Sequence, residues 1–210
     1  MIGSAFEFFK SGGNFMYPIL LFLCLGIAII LERFYFLYYK YNISGSRLFQ
    51  QIRTYVQKGN LTDAIKICDD APLPAILKAG LVHYNIDSQH VPAAMDEAAL
   101  AIVPKVQKRT HYLAAIANIA TLLGLLGTIS GLIVAFQAIS GADPGEKAVM
   151  LAKGIAIAMN TTYFGLVVAI PCLLFHSILQ SKTNKLLDEI EEYSTKTIHL
   201  LQSVRAPEKG

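Results

Sequence analysis

Tryptophan is absent from this 210-residue chain, and charge is scarce: Asp, Glu, Lys and Arg make up 16% of it. An ordinary soluble domain carries about 25%. So little charge beside 54% hydrophobic residues excludes a disordered chain and a polyanion-binding tail. The net charge of +3 is likewise too small to suggest a nucleic-acid partner. Three cysteines, Cys24, Cys68 and Cys172, cannot make a disulfide framework. Without Trp, any belt at a membrane interface must be built from Tyr and Phe. The most informative deficit is local. From Leu113 to Ile139, and again from Gly154 to Phe175, there is no Asp, Glu, Lys, Arg or His.

What is present is three apolar stretches long enough to cross a bilayer, which takes about 20 helical residues. The sequence therefore reads as an all-α integral membrane protein with three transmembrane helices and long cytoplasmic helical extensions. Its expected parts are an outer N-terminus (1–15), span one (16–39), a cytoplasmic helical region (40–112), span two (113–139), an outer loop (140–153), span three (154–179) and a cytoplasmic helical tail (180–210). The late, long first apolar run, with no small-residue cleavage site after a basic segment, argues against a signal peptide. Ten of the 18 basic residues lie between Arg33 and Arg109, five follow His176, and only Lys10, Lys147 and Lys153 fall elsewhere. Positive residues stay inside, so the N-terminus belongs outside and the C-terminus in the cytoplasm.

Local signals fill in the elements. Ser46 is a candidate cap for a helix through Lys58, and Asn60 for one from Leu61 to Asp70. Pro72, Pro74, Pro92 and Pro104 mark breaks or bends. In the tail, Leu186, Ile190, Tyr193, Thr197 and Leu201 recur at helical spacing, with the acidic residues largely off that stripe. The third span should run on into this tail as one helix.

Within the spans the chemistry is that of hydroxyls and glycines. Gly124 and Thr128 are four apart, as are Gly127 and Gly131, a spacing that lets helices approach closely in lipid. Span three brings Asn160, Thr161, Thr162 and Gly165. Polar groups there need partners, since lipid offers none. They either bond back to their own helix or line a polar pathway. A proton relay needs groups that titrate near neutral pH, usually carboxylates or imidazoles, and these spans hold none. If the chain handles protons, another chain must bring the titratable group. Glu32 and Arg33, at the cytoplasmic edge of span one, read as an intrahelical or inter-subunit ion pair. The scattered histidines have no metal-ligand spacing, and no nucleophile–base pair stands out. No cofactor, metal, nucleic-acid partner or enzymatic activity is expected.

The run from Leu122 to Gly131 (Leu-Leu-Gly-Leu-Leu-Gly-Thr-Ile-Ser-Gly), followed by Ala135-Phe136, resembles the second-span signature of the MotA/TolQ/ExbB proton-channel family. Gly154 to Ala158, leading to Thr162-Tyr163-Phe164-Gly165 and on to Pro171, resembles the third. The Glu32-Arg33 pair also fits, and the likeness is greatest to the ExbB branch, with TolQ next. The resemblance implies a Gram-negative inner-membrane stator subunit, five copies ringing single-span partners of the ExbD/TolR type whose transmembrane Asp binds the proton. The work would pass to a TonB- or TolA-like effector. The family's functional threonines fall on Thr128 and Thr162; Thr161, Asn160 and Thr121 join them as candidate pathway residues. Gly124, Gly127, Gly131 and Gly165 are candidates for helix packing. Two positions depart from the family pattern: Ile157 stands where relatives often carry an acid, and Thr121 where a proline is common. A specialised relative serving gliding or other surface machinery, and a non-conducting scaffold, are the alternatives. A small-solute transporter is disfavoured, since no inverted repeat or charged midplane site is present.

Overall fold

Apolar backbone placed in lipid has to satisfy its own hydrogen bonds, which favours helix. Helix is what the chain forms. The computed structural model describes residue 9 and residues 12–41, 43–69, 71–84, 88–140 and 143–205, and among these there is no strand. The helices are α1 (Met16–Tyr35), α2 (Gly45–Gln57), α3 (Leu61–Lys66), α4 (Pro72–Tyr84), α5 (Val91–Gln107), α6 (Thr110–Ser140) and α7 (Pro144–Arg205). A wide π-helical turn, Phe36–Lys40, extends α1, and a 3₁₀ turn, Ser88–His90, precedes α5. Three helical stretches, Met16–Gln57, Val91–Ser140 and Gly145–Val204, are long and apolar enough to cross a membrane by length and composition. The chain divides into two compact units: Met1–Glu32 with Arg109–Ile178, and Arg33–Lys108 with Leu179–Gly210.

In the first unit, Ile19 of α1 is wholly buried in a cluster with Ile116, Ala117 and Ala120 of α6 and Val168, Ala169 and Cys172 of α7. Small residues set how near the helices come. A Cβ on Gly26 would lie 2.8 Å from the Cys172 sulfur. The outward faces are lined with leucine and isoleucine, among them Leu122, Leu125, Ile129 and Ile133, which is a surface suited to lipid.

The second unit has a conventional apolar core. Leu48, Ile52 and Val56, four residues apart on α2, meet Ile76, Leu77 and Leu81 of α4 and Met95 of α5. Ile190 and Leu201 of α7 close the same cluster. The tail stripe faces inward as its spacing predicts: Leu186, Ile190, Thr197 and Leu201 are buried, and Tyr193 is half-buried. Asn60 caps α3, its side chain accepting from the Asp63 N–H at 3.4 Å.

Several expectations need correction. The first residue outside α2 is Ser44, not Ser46, and α3 stops at Lys66 rather than reaching Asp70, which lies outside the described residues. Pro72 and Pro92 open helices instead of breaking them, because a first turn has no use for the missing N–H. Residues 144–153 are helical, not loop. Pro144 sits at the first helical position, and the Asp143 carbonyl accepts from the N–H groups of Glu146 and Lys147. As expected, the third span and the tail are one helix, of 62 residues. The expected 1–15 segment and the end of the tail fall largely outside the described residues.

Cys68, two residues beyond the end of α3, lies inside the second core, 4% exposed. Burial pushes its thiol from the ordinary 9.0 up to about 11; nearby Lys78 lowers it and Asp69 raises it further. The thiolate is the reactive form. Two pH units of displacement therefore slow alkylation at pH 8 about 100-fold relative to the unfolded chain. Iodoacetamide labelling read by mass spectrometry, with and without denaturant, checks this. Between pH 9 and 11 the folded state binds the extra proton, so stability falls as pH rises through that window.

Candidate functional site

Helices α6 and α7 run antiparallel along a seam of small residues. On α6 the buried positions are Ala120, Gly124, Gly127, Gly131 and Ala135. On α7 they are Gly154, Ala158, Thr161 and Gly165. The contact is backbone to backbone. A Cβ on Gly124 would lie 3.2 Å from the Thr162 Cα, and one on Gly131 would lie 3.1 Å from the Ala158 Cα. On Gly165 it would stand 2.7 Å from the Ala120 carbonyl oxygen, and on Gly127 it would strike the Thr161 side chain. All four candidate packing glycines thus lie in one interface.

The hydroxyls divide into two groups. Thr121 donates to the Ala117 carbonyl at 3.0 Å and Thr128 to that of Leu125 at 2.6 Å, both within α6. These two take the local bond that lipid-embedded threonines commonly make. Thr162 instead reaches across the seam and donates to the Gly124 carbonyl at 2.9 Å. Thr161 is buried, with its Oγ1 2.6 Å from the Gly12 carbonyl and 2.9 Å from that of Ile157. Asn160 is half-buried on the same stretch of α7. Each hydroxyl that donates to a carbonyl keeps lone pairs with which to accept. Half-buried Thr128 and Thr162 can therefore take a proton-bearing donor, such as a protonated carboxyl, without giving up their own bonds. No side chain along the seam titrates.

The acid at the edge of span one bonds a distant arginine. Glu32 accepts from Arg109 Nη1 at 2.7 and 2.6 Å, while Arg33 is buried and donates to the Val106 carbonyl at 3.4 Å. Adjacent residues of α1 thus bond the last turn of α5 and the short link that follows it. Arg109 has φ +67°, a left-handed conformation uncommon for a side-chain-bearing residue, and its charge is spent on Glu32. Sequence spacing cannot show a contact 77 positions apart. The one available signal was that Glu32 and Arg109 both flank apolar spans on the same expected side.

A profile of the MotA/TolQ/ExbB proton channel family matches residues 69–192, which include both helices of the seam. The chain belongs to the MotA/TolQ/ExbB proton channel family. An ExbB-like protein of Synechocystis sp. is 31% identical over 175 residues, covering 81% of this chain and 82% of that one. The biopolymer transport protein ExbB of Aquifex aeolicus is 37% identical over 118 residues, 53% of this chain and 75% of that one. The Tol-Pal system protein TolQ of Haemophilus influenzae is 33% identical over 106 residues, 49% and 46% of the two chains. As a member of this family with three apolar helices, the chain is a multi-pass membrane protein.

Proposed function

We propose that this chain is the ExbB-like ring subunit of a proton-driven motor in the inner membrane of a Gram-negative cell. One observation carries the reading: the seam pairs hydroxyls with bare backbone at mid-span yet holds no group that titrates near neutral pH. A proton path through such helices needs a carboxylate or imidazole from elsewhere. A single-span partner of the ExbD/TolR type, bringing a transmembrane Asp, supplies it. Thr128 and Thr162 then face that carboxyl as the pathway residues, with Thr121, Asn160 and Thr161 nearby. Five copies around the partner helices give the ring, with N-termini outside and C-termini in the cytoplasm. The work passes to a TonB-like effector, and the chain itself makes and breaks no covalent bond. Similarity to a TolQ supports a second reading, in which the same motor serves a TolA-like effector.

Native mass spectrometry of the complex, extracted gently from its host membrane, tests this. The expected result is five copies of this chain with two of a small single-span protein whose span contains Asp. A monomer, or a ring without such a partner, leaves the seam with no titratable group and makes it a packing interface only.

A further inference from the structure

A cavity of about 560 Å³ lies in the first unit, between the start of the described N-terminal segment and the loop-side halves of α6 and α7. Asn14, Ser130 and Lys153 give it polar groups; Gly12, Gly127 and Ile157 are also among its lining. These last three are the residues that surround Thr161. Gly12 and Ile157 offer it their carbonyls, and Gly127 packs against its methyl-bearing side chain. The cavity therefore reaches from the level of Lys153 to the level of Thr161. The seam's next polar contact, Thr162 to Gly124, lies immediately beyond.

The bond at that deep end has an unusual property. A threonine hydroxyl has one proton to donate, and here two carbonyls compete for it, at 2.6 and 2.9 Å. One belongs to Thr161's own helix and is always present. The other, Gly12, belongs to a turn 149 positions away in sequence. If the turn withdraws, Thr161 keeps a partner, so opening leaves no buried hydroxyl unpaired, which is what normally makes such a contact costly to break. Gly12 itself lines the cavity, which is large enough for water and has polar groups at Asn14, Ser130 and Lys153 among largely apolar walls. Gly13 beside it has φ +76°, a conformation that glycine adopts freely and other residues do not.

We propose that this cavity is a water-filled access route to mid-span, and that the Gly12–Gly13 turn, latched by Thr161, is its inner gate. Latched, the turn keeps cavity water from the Thr162–Gly124 contact. Unlatched, with Thr161 turned to Ile157, water reaches that contact. The assignment of the route to protons rests on the function proposed above; the gate itself does not.

Cysteine accessibility tests it, in the full chain expressed in its membrane with Cys24 and Cys172 replaced by alanine. The probe is a small, charged, membrane-impermeant methanethiosulfonate, applied to membrane vesicles of each orientation. Ser130→Cys reports the cavity and Thr162→Cys the level beyond the latch. Ser130→Cys is expected to react, from one side only. Thr162→Cys is expected to react at least tenfold more slowly. Thr161→Val, which removes the latch, should bring Thr162→Cys to within about threefold of Ser130→Cys. Thr161→Ser, which keeps the hydroxyl, should leave it slow; this variant also guards against a trivial folding defect in Thr161→Val. Gly13→Val, which drives the turn from its left-handed conformation, should act as Thr161→Val does. An unreactive Ser130→Cys would show the cavity dry and overturn the route. Equal Thr162→Cys rates with valine and threonine at 161 would overturn the gate. Labelling requires neither a partner nor conduction, so either failure leaves the proposed function standing. Failure of that function would in turn leave the accessibility pattern unchanged.

Discussion

Replacing Gly165 by leucine should abolish the native fold of the first unit, whereas replacing Gly145 by alanine should do no harm. The two glycines lie on the same helix, α7, twenty positions apart. At Gly145 an added Cβ meets nothing within 4 Å. Helix propensity alone then acts, and alanine gains up to about 1 kcal/mol over glycine. At Gly165 the first atom an added Cβ meets is a backbone oxygen, Ala120 O at 2.7 Å, with the Gly124 Cα at 3.1 Å. Neither can rotate away as a side chain would. Overpacking typically costs about 1–3 kcal/mol where neighbours can shift. Here the only relief is for α6 and α7 to part along the seam, which breaks the Thr162–Gly124 hydrogen bond as well. Thermal unfolding in detergent, followed by size-exclusion chromatography, should show Gly145→Ala at or slightly above the wild-type midpoint. Gly165→Leu should give no folded peak. Similar melting of the two variants would contradict the backbone contact. Gly26→Ala falls between them, because the atom it meets is the Cys172 sulfur, a side-chain atom that can turn.

How much of this was legible depended on the range of the forces involved. The spans were readable because lipid permits so few backbone states that long apolar runs leave little choice. The tail stripe from Leu186 to Leu201 was readable because each member repeats the same local geometry. The small-residue spacing at Gly124, Gly127 and Gly131 announced close packing on α6. It could not announce the partner, since pairing Gly131 with Ala158 and Gly124 with Thr162 needs the antiparallel register of two helices. The Asp143-Pro144 step, a helix-start signal, was available and was outweighed by the expectation of a loop between spans. Two features lay beyond the reach of local spacing: the pairing of Glu32 with Arg109, which adjacency to Arg33 disguised and only their shared place at the span ends hinted at, and the reach of Thr161 to Gly12. Both are single side chains bonding across more than 70 positions. Among the polar candidates, the family resemblance set Thr128 and Thr162 apart from Thr121 and Thr161, which is not the division the structure makes. Only geometry separates the two that bond within α6 from the two that reach other segments.

That separation sharpens what replacing Thr162 should do. Valine keeps the branched shape and loses the hydroxyl, so the Gly124 carbonyl forfeits its donor. If packing were the whole role, the loss would be that of one hydrogen bond, about 0.5–1.5 kcal/mol. An assembled complex would then go on doing proton-dependent work at nearly the wild-type rate. If Thr162 also accepts from a partner's protonated carboxyl, removing the oxygen removes the one polar atom it offers that group as the proton moves. The available drive is only about 2.3 kcal/mol per charge for each 100 mV of membrane potential. A carboxylate shifted between wet and dry surroundings changes its pKa by several units, a cost of comparable size. Losing a single well-placed hydroxyl can therefore stall the cycle without unfolding anything. In the reconstituted complex, Thr162→Val should lower proton flux at least tenfold while the ring and its partner stay intact by native mass spectrometry. Thr162→Ser, which restores the oxygen at the same position, should recover most of it. Thr128→Val is the informative comparison: its hydroxyl bonds only within α6, so any loss of flux cannot be charged to the seam. Full flux in Thr162→Val would remove that residue from the path and leave the Gly124 bond as its role.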